Sequence, residues 1–303
     1  MAINSEQFWK KPRIRDYMEY YSAKPLFFFL GLFPLEHVSN LLAIVGRTIG
    51  PRIALSRRAR ENIRLVWPHL EQHEIEKIIL GVWNNVSRIG TEYWSLQTIR
   101  KEQHRRIKIV GRDNLEKAER SGKPCIFFTG HIGNWEIVTL AIRMHNIPVT
   151  LVYRPINNPL IDAHVRNIQR QSGVELIMKG PKGAKRLIDV VKNKGHTIML
   201  VDVRMNDGIN VPFLGVNAMT PSAPASLAIK YDAVLVPVRV ERKSAGSYNV
   251  TIEEPQKPAN TGNRKDDILK TMTWVNERLS EWITERPEQW VWFHRRWGKN
   301  RTE

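Results

Sequence analysis

From Cys125 to Val201 short apolar runs alternate with longer amphipathic stretches, and this alternation restricts the fold more than any other feature of the chain. Residues 125–129, 149–153, 174–178 and 197–201 read as strands, and 134–146, 158–172 and 182–194 between them as helices. Strands separated by helical crossovers pair in parallel, which predicts an α/β fold with a mostly parallel central sheet flanked by helices. Upstream, 53–66 and 71–101 read as helices with Pro68 between them, Arg105 to Val110 as a strand and Asn114 to Ser121 as a short helix. Downstream, Val234 to Glu241 and Tyr248 to Glu253 read as a closing antiparallel pair, followed by an amphipathic helix over 265–285. Only Pro255 to Asn263 has the composition of a linker, and no internal repeat is present.

Open α/β sheets bind ligands outside the carboxyl ends of their strands. The apolar run from Cys125 ends at Thr129-Gly130, with His131 and Glu136 close behind. Asn134 is placed to cap the helix that follows. On one continuous helix, residues five apart face different ways. His131 and Glu136 can meet only if the first lies in a turn, eased by Gly130 and Gly133, and the second in the first helical turn. A carboxylate accepting the Nδ1 proton of His131 would leave Nε2 free to deprotonate a hydroxyl. The alternative is a helix-capping Glu beside an ordinary loop His. The chain has no Gly-x-Ser-x-Gly elbow, and its single Cys125 lies inside a strand, so a covalent Ser or Cys mechanism is not expected.

Two further strands deliver polar residues to the same edge. Arg154 follows the strand over 149–153 as a partner for phosphate or an oxyanion, or as a plain loop cation. Asp202 ends another strand, with Arg204, Asn206 and Asp207 crowding the loop after it; the group suits polar acceptor binding, and Asn206-Asp207-Gly208 is equally ordinary turn chemistry. A His131/Asp202/Asp207 metal site lacks any metal-ligand spacing, and no metal is expected.

Charge narrows the partners. The 303 residues carry 47 Lys and Arg against 30 Asp and Glu, a net charge of +17, so an anionic partner is expected. Ten Trp and nine Phe shift that expectation from nucleic acid toward a membrane interface. One cysteine excludes an intrachain disulfide, and no cleavable signal peptide is apparent. The N-terminal stretch combines Lys10, Lys11, Arg13 and Arg15 with Phe8, Trp9, Tyr17, Tyr20 and Tyr21. An apolar run from Pro25 to Leu35, broken by Glu36 and His37, resumes from Leu41 to Val45. A span takes about 20 apolar residues, and Glu36 at mid-membrane would cost about 3 kcal/mol. An embedded or interfacial helical anchor is therefore expected over residues 1–52, with a true span and a buried core helix as alternatives. Arg60 to Arg64 reads as solvated or lipid-facing surface, and the Lys179, Lys182, Lys185 and Arg186 cluster as a face for an anionic carrier or phosphate, or simply a solvated face. The tail Trp290-Val291-Trp292-Phe293-His294-Arg295-Arg296-Trp297 is expected to dock at a membrane surface, the alternative being that its rings pack on the core.

Gly130-His131-Ile132-Gly133-Asn134-Trp135-Glu136 resembles the first block of the lysophospholipid acyltransferase superfamily, and more narrowly the Gly-His-x-Gly-Asn-Trp-Glu of the bacterial lipid A late (secondary) acyltransferases, lauroyl/myristoyl type. Further blocks match in order: Tyr153-Arg154-Pro155 through Asn158-Pro159-Leu160, Asp202 through Asn206-Asp207-Gly208, Val211-Pro212-Phe213-Leu214-Gly215, and Ala218-Met219-Thr220. The resemblance covers roughly residues 10–298. One departure is Val203, where the family usually has Gln. The resemblance implies a glycerol-3-phosphate acyltransferase-like α/β domain over 53–303 at the cytoplasmic face of a Gram-negative inner membrane. It implies transfer of a fatty acyl chain from acyl carrier protein to the hydroxyl of a 3-hydroxyacyl chain on a lipid A precursor. His131 and Glu136 would be the catalytic dyad, and Arg154, Asp202, Arg204, Asn206, Asp207 and Thr220 would bind substrate. Gly130, Gly133 and Asn134 would shape the turn and the oxyanion site. No cofactor is implied, acyl-acyl carrier protein being a co-substrate; membrane phospholipid is the further partner, nucleic acid is not, and oligomeric state is left open. A glycerolipid acyltransferase is the nearest alternative, although its usual Phe-Pro-Glu-Gly is absent around 200–208. A basic, non-catalytic membrane-surface or nucleic-acid-binding protein is the more distant one.

Overall fold

The strand Cys125–Thr129 is buried at every position, and its side chains feed two separate cores. Cys125 and Phe127 point to one face of the sheet, Ile126 and Phe128 to the other, as the two-residue period of a strand requires. A strand covered on both faces must be apolar throughout, which is why it shows in the sequence as an unbroken run. The surrounding architecture comes from a computed structural model that describes residues 10–171 and 173–298, leaving aside the side chains of 26–28. Phe8 and Trp9, and the start of the expected anchoring segment, lie outside the described residues.

In chain order, α1 (Ile14–Leu30), α2 (Leu35–Ile49), α3 (Ala54–Val66), α4 (Gln72–Trp94), α5 (Leu96–Lys101) and α6 (Gln103–Arg106) precede the sheet. Then come β1 (Ile107–Val110), α7 (Arg112–Arg120), β2 (Cys125–Thr129), α8 (Glu136–Arg143), β3 (Val149–Tyr153) and α9 (Pro159–Gln171). They are followed by β4 (Glu175–Met178), α10 (Pro181–Lys192), β5 (His196–Leu200), β6 (Ile209–Phe213) and β7 (Val216–Thr220). Last are α11 (Ala223–Tyr231), β8 (Val234–Ser244), β9 (Ser247–Ile252) and α12 (Arg264–Glu285). Seven strands form one sheet in the order β1-β9-β8-β2-β5-β3-β4. Every neighbouring pair is parallel except β8–β9, the antiparallel pair expected from the sequence. β2 sits at the centre, so the turn after it emerges mid-sheet, between the ends of β5 and β8.

Three local differences from the sequence reading have physical causes. The helix expected over 134–146 is the shorter α8, its far end turned at Asn146 in the left-handed region (φ 60°). The long helix expected over 71–101 breaks at Ser95 into α4 and α5. β6 and β7, not read as strands, form a hairpin whose two turn residues, Leu214 (φ 51°) and Gly215 (φ 77°), are both left-handed, as a tight hairpin turn demands.

The two N-terminal apolar runs fall in separate helices, because Gly31 and Pro34 interrupt the backbone between α1 and α2. Among the described residues no helix is long and apolar enough to cross a membrane. Helix α2 has two apolar stripes. Leu35, Val38 and Ala43 are buried, whereas Leu41, Ile44, Val45 and Ile49, at i, i+3, i+4 and i+8, are exposed.

Candidate active site

The turn after β2 is built from glycine and from distant partners. Gly133 adopts φ 61°, and a Cβ there would sit 2.6 Å from the carbonyl oxygen of Val240. At Gly130 a Cβ would lie 3.2 Å from both Asp202 Oδ2 and Leu279, a tight fit that would need those side chains to shift by a few tenths of an ångström. The C-terminal segment backs this turn. Ile132 bridges to Trp290, the Gly133 N–H donates to the Gln289 carbonyl (2.9 Å), and the Val291 N–H donates to the His131 carbonyl (3.2 Å). Beneath it lies a buried polar network. Asn85 Nδ2 reaches the carbonyls of Gly133 (3.1 Å) and Gln289 (3.0 Å), and Arg242 pairs with Glu92 out of reach of solvent. Asn134 is enclosed in it: its Nδ2 donates to Glu92 at 2.9 Å and its Oδ1 accepts the Glu136 N–H at 3.2 Å, one residue ahead of Trp135, which rather than Asn134 is the N-cap of α8.

Asp202, at the end of β5, holds His131. Its Oδ1 lies 2.8 Å from His131 Nδ1, and its Oδ2 accepts the His131 backbone N–H (2.8 Å) and the Trp290 Nε1–H (2.7 Å). Burial alone would raise this carboxyl, but the His131 charge and these hydrogen bonds outweigh it and hold the pKa well below the usual carboxylate range. A fixed anion on Nδ1 sets the tautomer and leaves Nε2 without a partner among the described residues. The expectation that Glu136 would take the Nδ1 proton is corrected by this geometry. Glu136 does lie in the first turn of α8, but its oxygens are taken by the Tyr93 hydroxyl (2.7 Å) and Gln169 Nε2 (2.5 Å). Burial raises its pKa, opposed by those two bonds and by the His131 charge, which it still feels. Two rings stand near His131: Trp135 at 4.8 Å between centroids and His294 at 4.9 Å. The arrangement is an oriented imidazole with one free nitrogen at the carboxyl edge of a parallel sheet, suited to taking a proton from a hydroxyl.

Residues 6–299 match the model of a family described as bacterial lipid A biosynthesis acyltransferase. This chain belongs to that family. It is also similar to a lipid A biosynthesis acyltransferase of Haemophilus influenzae, 26% identical over 271 residues that cover 87% of this chain and 82% of that protein. Family membership makes the protein an acyltransferase of lipid A synthesis.

The remaining expected site residues divide into exposed and enclosed. Arg154, Arg204, Asn206 and Asp207 are exposed, and the charge of Arg154 is felt at His294. Thr220 is fully buried with its hydroxyl committed within the protein: it donates to the Ala218 carbonyl (3.0 Å) and accepts from Arg296 Nη2 (2.6 Å) and Asn276 Nδ2 (3.2 Å). The backbone expected to bind an oxyanion is also committed. The N–H groups of His131, Ile132 and Gly133 go to Asp202, the Gly130 carbonyl and the Gln289 carbonyl.

The Trp-rich tail is not a surface element, contrary to expectation. Trp290 and Trp292 are fully buried, their rings 4.8 Å apart, and Trp292 lies 5.3 Å from Trp67. Arg296, equally buried, bonds to the Met219 carbonyl (2.9 Å) and to Thr220, its guanidinium 4.5 Å from the Phe213 ring. Sequence reasoning missed Tyr93, Gln169 and Trp290 as neighbours of the site. Tyr93 and Gln169 carry no local signal, whereas Trp290 lies in a segment whose density of rings was itself the clue.

Proposed function

We propose that the protein transfers a fatty acyl chain from acyl carrier protein to the hydroxyl of a 3-hydroxyacyl chain on a lipid A precursor. One observation carries this reading: His131 is anchored through Nδ1 by Asp202, with Nε2 free at the sheet edge. In it, Nε2 removes the acceptor hydroxyl's proton, the oxygen attacks the thioester carbonyl, and the tetrahedral intermediate expels a thiolate that recovers the proton from His131. Asp202 orients the imidazole and stabilises its cation. Glu136, held by Tyr93 and Gln169, contributes its field and fixes the start of α8. Arg154, Arg204 and Asn206, exposed at the same edge, receive the phosphorylated sugar.

The exposed cations Lys179, Lys182 and Lys185 suit an acidic carrier. The exposed stripe Leu41, Ile44, Val45 and Ile49, with Arg47 and Arg52 beside it, seats the N-terminal segment 1–52 on the cytoplasmic face of the inner membrane without spanning it. An apolar groove of about 280 Å³ lies between that stripe and α4, lined by Val45, Gly46, Ile49, Gly50 and Trp83. Trp83 packs at 4.9 Å on Phe293, the residue before His294; in this reading the groove takes the hydrocarbon chain.

The test is transfer from acyl-acyl carrier protein to a purified lipid A precursor, read by mass spectrometry. Wild-type protein is expected to add one acyl mass, and His131→Ala to lose about 10³-fold in turnover. Near-full turnover in His131→Ala would remove the residue from the mechanism.

A further inference from the structure

The committed amides of the 131–133 turn leave the tetrahedral intermediate without backbone donors there. A second imidazole stands beside His131. His294 lies 4.9 Å from His131 between ring centroids, and its Nε2 is buried without a hydrogen-bond partner. We propose that His294 is a catalytic residue of the acyl transfer, a neutral imidazole whose Nε2–H donates to the oxyanion formed at the thioester carbonyl. This rests on the acyl-transfer reading above.

The position of His294 is firmly set. Asn62 Nδ2 holds the carbonyl of Trp292 (2.7 Å) and that of His294 itself (2.9 Å), while Arg58 Nη1 holds the Phe293 carbonyl (3.1 Å). Helix α3 thus grips the backbone on both sides of the ring. The charge state also suits a donor. Burial, then the neighbouring His131, push the His294 pKa down to about 4; Arg154 and Arg58 act the same way and Asp202 opposes them. A neutral ring does not compete with His131 for the substrate proton, and a donor preorganised in a water-poor site is worth most where charge develops.

The step balances. The acceptor O–H proton passes to His131 Nε2 as the new C–O bond forms, and the carbonyl π pair moves onto the oxygen facing His294. The oxyanion then collapses, the C–S bond breaks with its electron pair on sulfur, and His131 returns the proton to give ester and thiol.

Two variants test the assignment in the acyl-carrier-protein assay, with kcat and KM measured separately. His294→Phe keeps the ring and removes both nitrogens; His294→Gln keeps an N–H donor. The Phe variant is expected to lose about 100-fold in kcat, with KM changed less than about threefold and the thermal midpoint retained. The Gln variant is expected to recover about tenfold of that loss. A Phe variant with near wild-type kcat, or equal losses in both variants, would overturn the proposal. Absence of transfer by the wild-type protein would instead sink the acyl-transfer reading itself, so the two failures are distinguishable.

Discussion

Two stretches of this chain invite the same reading from sequence and meet opposite fates. The segment 1–52 and the tail 287–298 both mix large apolar side chains with arginines, and both read from sequence as membrane-facing. In the structure the first presents Leu41, Ile44, Val45 and Ile49 outward, whereas the second buries Trp290, Trp292 and even Arg296. The difference lies in what each backbone finds to pair with. Helix α2 satisfies its own hydrogen bonds and needs burial on one stripe only. The tail has no regular structure beyond a single 3-10 turn, so its polar groups must be met by other elements. Asn62, Arg58, Asn85 and the His131 turn meet them, and the rings are drawn in with the backbone.

The largest expected effect comes from the buried side. Trp292→Ala should cost about 3–5 kcal/mol of stability in a denaturant titration, because a fully enclosed indole leaves a cavity beside Trp67 and Trp290. A loss under about 1 kcal/mol would mean that the tail packs more loosely than the structure shows.

The second effect is a pH response of the same segment. His294 has its pKa lowered to about 4 from an ordinary value of 6.5. Between those values the unfolded chain binds a proton that the folded chain refuses, so stability present above about pH 6.5 is lost as pH falls. The slope for one such proton is at most about 1.4 kcal/mol per pH unit. His294→Gln should flatten the wild-type melting curve against pH in that window; an unchanged slope would place the titration elsewhere.

The smallest stability effect, and a large binding effect, belong to the exposed side. Ile44→Ser with Ile49→Ser should shift stability by less than about 0.5 kcal/mol. Sedimentation with anionic phospholipid vesicles should weaken about 30-fold, since each isoleucine seated in lipid contributes about 1 kcal/mol. Equal vesicle binding by the double variant would erase the contrast between the two regions.

The same contrast shows what the residues alone disclose. β2 and its parallel neighbours were legible because a strand buried on both faces is apolar at every position, and its bounds fall where expected, at Cys125–Thr129. His131 was legible because a polar residue directly after such a strand stands at the sheet edge. Its true partner was harder. Glu136 is near in sequence and drew the assignment, while Asp202 arrives from another strand, and no local spacing reports a contact across 71 positions. The β6–β7 hairpin escaped for a related reason, since Leu214 is not a residue that advertises a left-handed turn. Composition could not tell Trp292 from Ile44, because burial was decided by Asn62, far away in the chain.

The strand-like contact between Trp290 and Ile132 ties the turn that carries His131 to a segment far downstream in the sequence. Gln289 and Val291 supply two of the bonds that shape the loop around His131, and Trp290 supplies one of those that fix Asp202. The imidazole and the carboxylate that pairs with it are thus set in place by a third stretch of chain, distant from both in sequence. A change at Trp290 alone would therefore loosen the loop and its acidic anchor together.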